Sequence, residues 1–201
     1  MMLKQITRFT LMPLWITVIT IFASAQTDNL LLNPKANDGS NNWRAFGNAE
    51  VEQSDDGDWR FVVRNRGNFY QDVQLPDDAV GKYALLIGRV SSERIDPDGA
   101  ITGLPYLYGY MMDGANPRGG RILSYLQGQQ TLCWAKTVNE WVTVYGIFEV
   151  PDGTHAIRFF LSQAERKDVP QNGSAARFDD LGLYLFSTKE EAQAFAQIHK
   201  T

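Results

Sequence analysis

"EWVTVYGIFEVPDGTHAIRFFLS" (residues 140–162) is two runs rich in Val, Ile, Phe and Tyr broken by one turn. β-Branched and aromatic residues suit a pleated surface, so 140–150 and 155–162 are expected to be strands. Between them Pro151 presets φ, and Asp152 and Gly153 supply turn chemistry. Working outward, the same pattern returns in "WRFVVRNR" (59–66), "NFYQDVQL" (68–75), "KYALLIGRV" (82–90), "LPYLYGYMM" (104–112), "RILSYLQ" (121–127) and "ARFDDLGLYLF" (176–186). Gly-, Pro-, Asn- and Asp-bearing turns separate them, among them 54–58, 66–67, 75–81, 96–99, 114–120 and 169–174. Many short strands with almost no helical periodicity between them predict an all-β fold, a two-sheet antiparallel β-sandwich. The exception is "STKEEAQAFAQIHK" (187–200). There Ser187 or Thr188 stands three residues before Glu190 or Glu191, the spacing of a capping box. Ala192, Phe195 and Ile198 follow at helical spacing, so the chain is expected to close with a short helix within 187–201.

The N-terminus has a different logic. Lys4 and Arg8 precede an uncharged apolar run, Phe9–Phe22, and Ala23-Ser24-Ala25 then offers small residues. This is the layout of a secretory signal over 1–25, and the 14-residue run is shorter than the roughly 20 residues needed to span a bilayer. Export to the periplasm or beyond, with no membrane insertion after cleavage, is the expectation, and 26–186 forms the sandwich domain. Removing two of the 19 basic residues and no acidic ones takes the net charge from −4 to −6. An acidic domain without a basic run is a poor partner for nucleic acid, whose phosphates are held by clustered Lys and Arg. The single cysteine, Cys133 in "TLCWAK", cannot form an intramolecular disulfide and reads as a small core filler.

Chemistry-bearing patterns are few. The two histidines, His155 and His199, sit in no nucleophile, zinc or phosphate motif. Carboxylate pairs occur at Asp55/Asp56, Asp77/Asp78 and Asp179/Asp180. The first two lie in turns, and neighbours on a strand point to opposite faces, so the third cannot flank one glycosidic bond. The chain is therefore expected not to be an enzyme. Within 104–112, Tyr106, Tyr108 and Tyr110 share one face and Leu107, Gly109 and Met111 the other. With the apolar set inward, the tyrosines either look outward, where flat rings suit the C–H face of a sugar, or are covered by a loop or neighbouring strand with their hydroxyls reaching the rim. Arg89, Arg121, Asp113 and Gln127 are candidate polar companions on adjoining strands or turns. Trp43, Phe46 and Trp59 form a competing aromatic cluster.

The order of these pieces also resembles a known family. "NLLLNPKANDGSNNW" (29–43), "FYQDVQLPDDAVGKYALLIGRV" (69–90), the 140–162 pair of strands and the Phe-Asp-Asp-Leu of 176–186 resemble galactose-binding-like jelly-roll carbohydrate-binding modules of the secreted cellulose and xylan type. They are also similar to the sugar-binding domain attached to some F-box proteins. The resemblance implies a jelly roll in which Trp141, Tyr83 and Phe148 fill the core, and it implies a glycan ligand. It further implies a structural calcium near the N-terminal turn and the last strand. The acidic residue that relatives carry after Asn-Pro is Asn37 here, with Asp38 following, so Asn37, Asp38 and Asp179 are the candidate ligands. Calcium accepts amide, carbonyl and carboxylate oxygens alike. The fold also hosts protein-binding domains, so an envelope protein is the alternative partner to a glycan.

Overall fold

A computed structural model describes residues 28–92, 94–95, 101–102, 104–114, 120–126, 140–164 and 174–200. The expected signal (1–25), Cys133 and Gln127 lie outside the described residues. In chain order the elements are β1 (Arg44–Gln53), β2 (Trp59–Gln74), β3 (Tyr83–Ser92), β4 (Arg94–Ile95), β5 (Ile101–Thr102), β6 (Leu104–Met112), β7 (Ile122–Leu126), β8 (Val142–Glu149), β9 (Ala156–Ala164), β10 (Ala175–Phe186) and α1 (Lys189–Ile198). Every strand pairing is antiparallel. Eight strands form one hydrogen-bonded path, β7-β6-β9-β2-β10-β3-β8 with β1 added on β2, while β4 and β5 pair separately.

The path becomes a sandwich because β2 serves both layers. Its residues 61–64 pair with β10, and its residues 68–74 pair with β9. The 66–67 segment, expected to be a turn between two strands, is instead a bend inside one 16-residue strand. Asn65 (φ 43°) and Arg66 (φ 63°) take left-handed conformations there, and the pairing with β1 shifts register opposite Gly47. Gly67 lies so close to Asn48 that an added Cβ would strike its backbone carbonyl. β-Bulges bend a strand and increase its twist, and this one redirects β2 from one layer to the other.

Between the layers lies the core. Phe61, Phe69, Phe159 and Phe178, with Leu86, Leu107, Met111, Leu161 and Leu183, are fully buried. Each such side chain stabilises the fold by about 1.5–3 kcal/mol. A Cβ built on Gly88 of β3 would lie 3.6 Å from Leu107 of β6, so these two strands face each other across the core. Trp43 closes one end. Its ring centroid lies 4.9 Å from that of Phe61, and its indole N–H donates to the carbonyls of Leu32 and Asn33, both at 3.1 Å. The strands of 140–162 do not pair with each other. β8 lies beside β3 and β9 between β2 and β6, so the Pro151–Thr154 turn carries the chain from one layer to the other.

Helix α1 starts where the capping box requires. Thr188 accepts from the Glu191 N–H at 3.2 Å, and the Glu191 carboxylate accepts from the Thr188 N–H at 3.1 Å. Ala192, Phe195 and Ala196 meet Leu85, Ile87 and Phe186 on the outer side of the β3-β8-β10 layer. Ile198, expected to share that face, is 72% exposed. At 3.6 residues per turn the packed stripe runs 192-195-196-199, and position 198 falls beside it.

Candidate functional site

β6 positions its tyrosines through simple alternation. Leu107 and Met111 are fully buried, and a Cβ on Gly109 between them would come within 2.7 Å of the Arg158 carbonyl. The backbone of β6 is thus tight against β9, and Tyr106, Tyr108 and Tyr110 project from the outer face of the layer, each half-buried. Cross-strand register extends the face over four strands. Tyr108 lies opposite Phe160 of β9, which lies opposite Tyr70 of β2. One step along, Tyr110 lies opposite both Tyr125 of β7 and Arg158 of β9, and Arg158 opposite Asp72 of β2. With strands spaced about 4.8 Å apart, these rows cover roughly 15 Å across the sheet.

The rings are in mutual contact. Tyr106 and Tyr108 stack at 4.4 Å between centroids, and Tyr108 stacks on Phe160 at 4.7 Å with planes 5° apart. Tyr110 meets Tyr125 edge-on at 5.2 Å, and Tyr125 is 55% exposed. Each such contact contributes about 0.5–1.5 kcal/mol beyond burial and fixes ring orientation. At the polar end, Arg158 Nε and Nη2 donate to the two oxygens of Asp72 at 2.6 and 3.2 Å. The same guanidinium lies 4.7 Å from the centroid of Tyr70. Burial, then the neighbouring Tyr110, pushes the Tyr108 phenol above its usual range, and the same two causes raise Tyr106. Both are neutral hydroxyls at physiological pH, able to donate and accept.

The candidate companions fall elsewhere. Arg121 stands at the mouth of the β6–β7 pair, where its N–H donates to Asp113 at 2.6 Å and its guanidinium meets the same carboxylate at 3.3 Å. Arg89 does not adjoin the tyrosines. Gly88 faces the core, so Arg89 projects from the outer side of the opposite layer, with its guanidinium 5.3 Å from the Trp141 ring. Trp141 is therefore no core residue, and neither is Tyr83, which shares Arg89's outward parity on β3 and joins neither packed cluster; both correct the expectation, while Phe148 does pack on the core. Trp141 precedes β8 in the same alternation as outward Thr143 and Tyr145, while Val142, Val144 and Phe148 pack on the core. Nor do Trp43, Phe46 and Trp59 cluster. Trp43 is buried, while Phe46 and Trp59 stand at opposite ends of the β1–β2 ladder, paired with Asn68 and Gln53. The residues that sequence reasoning missed are Tyr70, Phe160, Tyr125, Arg158 and Asp72. Their only sequence signal is a shared parity that becomes a surface once the register is known.

The implied calcium site was the N-terminal turn against β10. That turn does dock there: Asn29 bonds the backbone of Leu181 and Leu183, and the Leu181 N–H donates to the Pro34 carbonyl at 3.2 Å. Cations of the chain itself, however, hold the carboxylate at the junction. Lys35 Nζ lies 2.6 Å from Asp180 Oδ1 and Arg89 Nη1 3.1 Å from Oδ2. Burial works against the Asp180 carboxylate, but these two partners outweigh it and hold its pKa below the usual range. Asp179 accepts from the Asp180 N–H at 2.7 Å, and burial pushes its carboxyl up. Asn37 and Asp38 are exposed on the turn. Among the described residues no group of three His, Cys, Asp or Glu side chains is placed to hold a metal ion, so a calcium there would draw on amide and backbone carbonyl oxygens of the turn as well.

No protein-family model and no curated protein sequence matches the chain. Solved structures do. The chain superposes over 81% of its length on 97% of the CBM22-1 xylan-binding domain of Paenibacillus barcinonensis Xyn10C, with TM-score 0.50 at 16% identity. The CBM22-1–CBM22-2 tandem of the same protein matches with TM-score 0.51 at 17% identity, over 83% of this chain and 48% of that one. The enzymatically active domain of bacteriophage CBA120 tailspike protein 4 gives TM-score 0.53 at 12% identity over 79% of this chain. There the chain covers 21% of that domain's chain. The fold is thus the β-sandwich of carbohydrate-binding modules, as the sequence resemblance implied, and it is also found within an enzyme. At these identities the likeness fixes architecture, and function has to be argued from the site.

Proposed function

We propose that the chain is an exported, non-catalytic module that binds a glycan across the β2-β9-β6-β7 outer face. The observation that carries this reading is the Tyr106–Tyr108–Phe160 stack, continued by Tyr110 and Tyr125. It offers ordered ring surface to a sugar's C–H face, bordered by phenol hydroxyls and the Arg158–Asp72 pair for its hydroxyl groups. Two further points support it. Solved neighbours with this sandwich include a xylan-binding domain. Asp72 is the one carboxylate on these rows among the described residues, whereas glycoside hydrolysis uses a pair about 5–9.5 Å apart. Export is supported by the basic start and apolar run of 1–25.

The test is a glycan array followed by calorimetry with soluble xylo- and galacto-oligosaccharides, with and without calcium. Saturable binding that Tyr108→Ala and Tyr125→Ala both weaken is the expected result. Absence of binding at millimolar sugar, by protein shown to be folded, overturns the glycan reading and favours the protein-interaction alternative. Release of reducing ends from any glycan by the purified chain overturns the non-catalytic part.

A further inference from the structure

The opposite face of the sandwich holds a second concavity. A cavity of about 910 Å³ opens beside the C-terminal end of α1, over the outer side of β3, β8 and β10. Trp141 and Tyr184 are among its walls, and its charged lining residues are Lys35, Arg89, Lys200 and Asp180. The volume lies at the upper end of the range typical of small-ligand sites. Its charge is the unusual feature. Three cations line it against one carboxylate, and with Asp179 behind the wall counted the site still carries an excess positive charge on a chain whose net charge is −4. Lys35 and Arg89 share the single Asp180 carboxylate, and among the described residues Asp180 is the only hydrogen-bond partner of the Arg89 guanidinium. That group carries five N–H donors in a rigid fork suited to a carboxylate. Asp179, the preceding residue, does not line the cavity; its carboxyl accepts from the Asp180 N–H and acts on Lys35 and Arg89 only through space.

We propose that this cavity is a second ligand site, separate from the tyrosine face, that takes a carboxylate-bearing sugar such as a hexuronate unit. Arg89 receives the carboxylate, Lys35 and Lys200 supply the surrounding positive charge, and the sugar ring lies against Trp141 and Tyr184. A neutral sugar would leave the excess charge unmatched, and a small inorganic anion would leave the aromatic walls unused. The proposal does not depend on the tyrosine-face reading, because the two sites share no residue and open on opposite sides of the sandwich.

The experiment titrates the full chain with trigalacturonate, neutral galactotriose and acetate, following tryptophan fluorescence and calorimetry at about 50 and 500 mM salt. Trigalacturonate is expected to bind saturably and more weakly at high salt, as a charge-assisted contact should. Arg89→Met is expected to weaken it at least tenfold and Lys200→Met about threefold, with Tyr108→Ala leaving it unchanged. Lys200 is exposed at the helix end, so its variant reads the site even if Arg89→Met fails to fold. Absence of uronate binding by folded protein overturns the proposal. So does an affinity unmoved by either cation variant, or acetate binding as tightly as the sugar acid. Loss of uronate binding in Tyr108→Ala places it on the tyrosine face instead. Failure of the neutral-sugar titrations alone bears only on the tyrosine face.

Discussion

Tyr108 and Leu107 are adjacent on β6 yet point to opposite sides of one layer, so truncating each should separate stability from binding. Leu107 is 0% exposed and faces Gly88 of β3 across the core. Leu107→Ala removes buried methyl groups and leaves a cavity, at a cost of about 3–4 kcal/mol. Tyr108 is half-buried and stacked on Tyr106 and Phe160, so Tyr108→Ala forfeits only part of the cost of a core aromatic, about 2 kcal/mol. For a domain of this size each kcal/mol lowers Tm by roughly 2–4 °C, so shifts of about 6–16 °C and about 4–8 °C are expected. Binding should follow the reverse order. Tyr108 sits at the centre of the ring array, and losing a central aromatic anchor costs at least about 1.4 kcal/mol, a tenfold rise in Kd. Leu107→Ala should leave Kd within twofold at temperatures where it stays folded. Thermal melts and calorimetry with whichever oligosaccharide binds the parent chain give both numbers. A larger melting penalty for Tyr108→Ala than for Leu107→Ala, with Kd unchanged, would refute the outward placement of the tyrosines.

Two other variants probe the frame that holds the site. Gly67→Ala places a methyl group into the Asn48 backbone at the β2 bend, and should destabilise by about 1–3 kcal/mol in chemical denaturation. A neutral result would mean that the bend can shift and does not lock the two layers. At the β10 bulge the two aspartates should respond in opposite ways. The folded pKa of Asp180 is depressed, so its contribution is present above the unfolded value of about 3.9 and is lost as pH falls through the folded value. Asp180→Asn should therefore lower Tm at pH 7, by an amount that shrinks as the pH falls below about 4. The folded pKa of Asp179 is raised, so its ionisation costs stability above about pH 4. Asp179→Asn should raise Tm at pH 7, with the gain gone in acid; melts of both variants from pH 3 to 8 check the signs.

How far the sequence could be read depended on whether one residue's environment is set locally. β6 keeps the bounds read from its alternation, because Leu107 and Met111 against Tyr106, Tyr108 and Tyr110 define both faces of the strand at once. The start of α1 was equally legible, since a capping box is complete within Thr188–Glu191. β1 was not. Most side chains of Arg44–Gln53 face solvent, and only Ala49 and Val51 pack on the core, so pairing with β2 rather than composition makes it a strand. Trp141 shows the same limit from the other side: its size predicts burial, but alternation with Val142 and Val144 puts it outside. The tyrosine face needed register above all. Phe160 and Arg158 read as two more residues of an apolar-rich strand until β9 is known to lie between β2 and β6.

Both outer faces of the sandwich carry large side chains, and their chemistry differs with what lies over them. On β3, β8 and β10 the outward positions include Leu85, Ile87, Ile147 and Phe186 together with Tyr145 and Tyr184, and α1 packs there with Ala192, Phe195 and Ala196. On β6 and β7 the outward positions are Tyr106, Tyr108, Tyr110 and Tyr125, whose rings keep part of their area exposed. A phenol presents an apolar body and a wet tip, so it tolerates water and still offers a flat surface to a partner. The ring hydroxyls and the Arg158–Asp72 pair give this face polar groups at ring spacing, which the glycan reading requires. α1 stops short of covering the whole of its own face, and the uncovered remainder, where Arg89 and Trp141 stand, is the cationic cavity. One sandwich thus presents two unlike surfaces, distinguished by whether tyrosine or cation dominates the exposed positions.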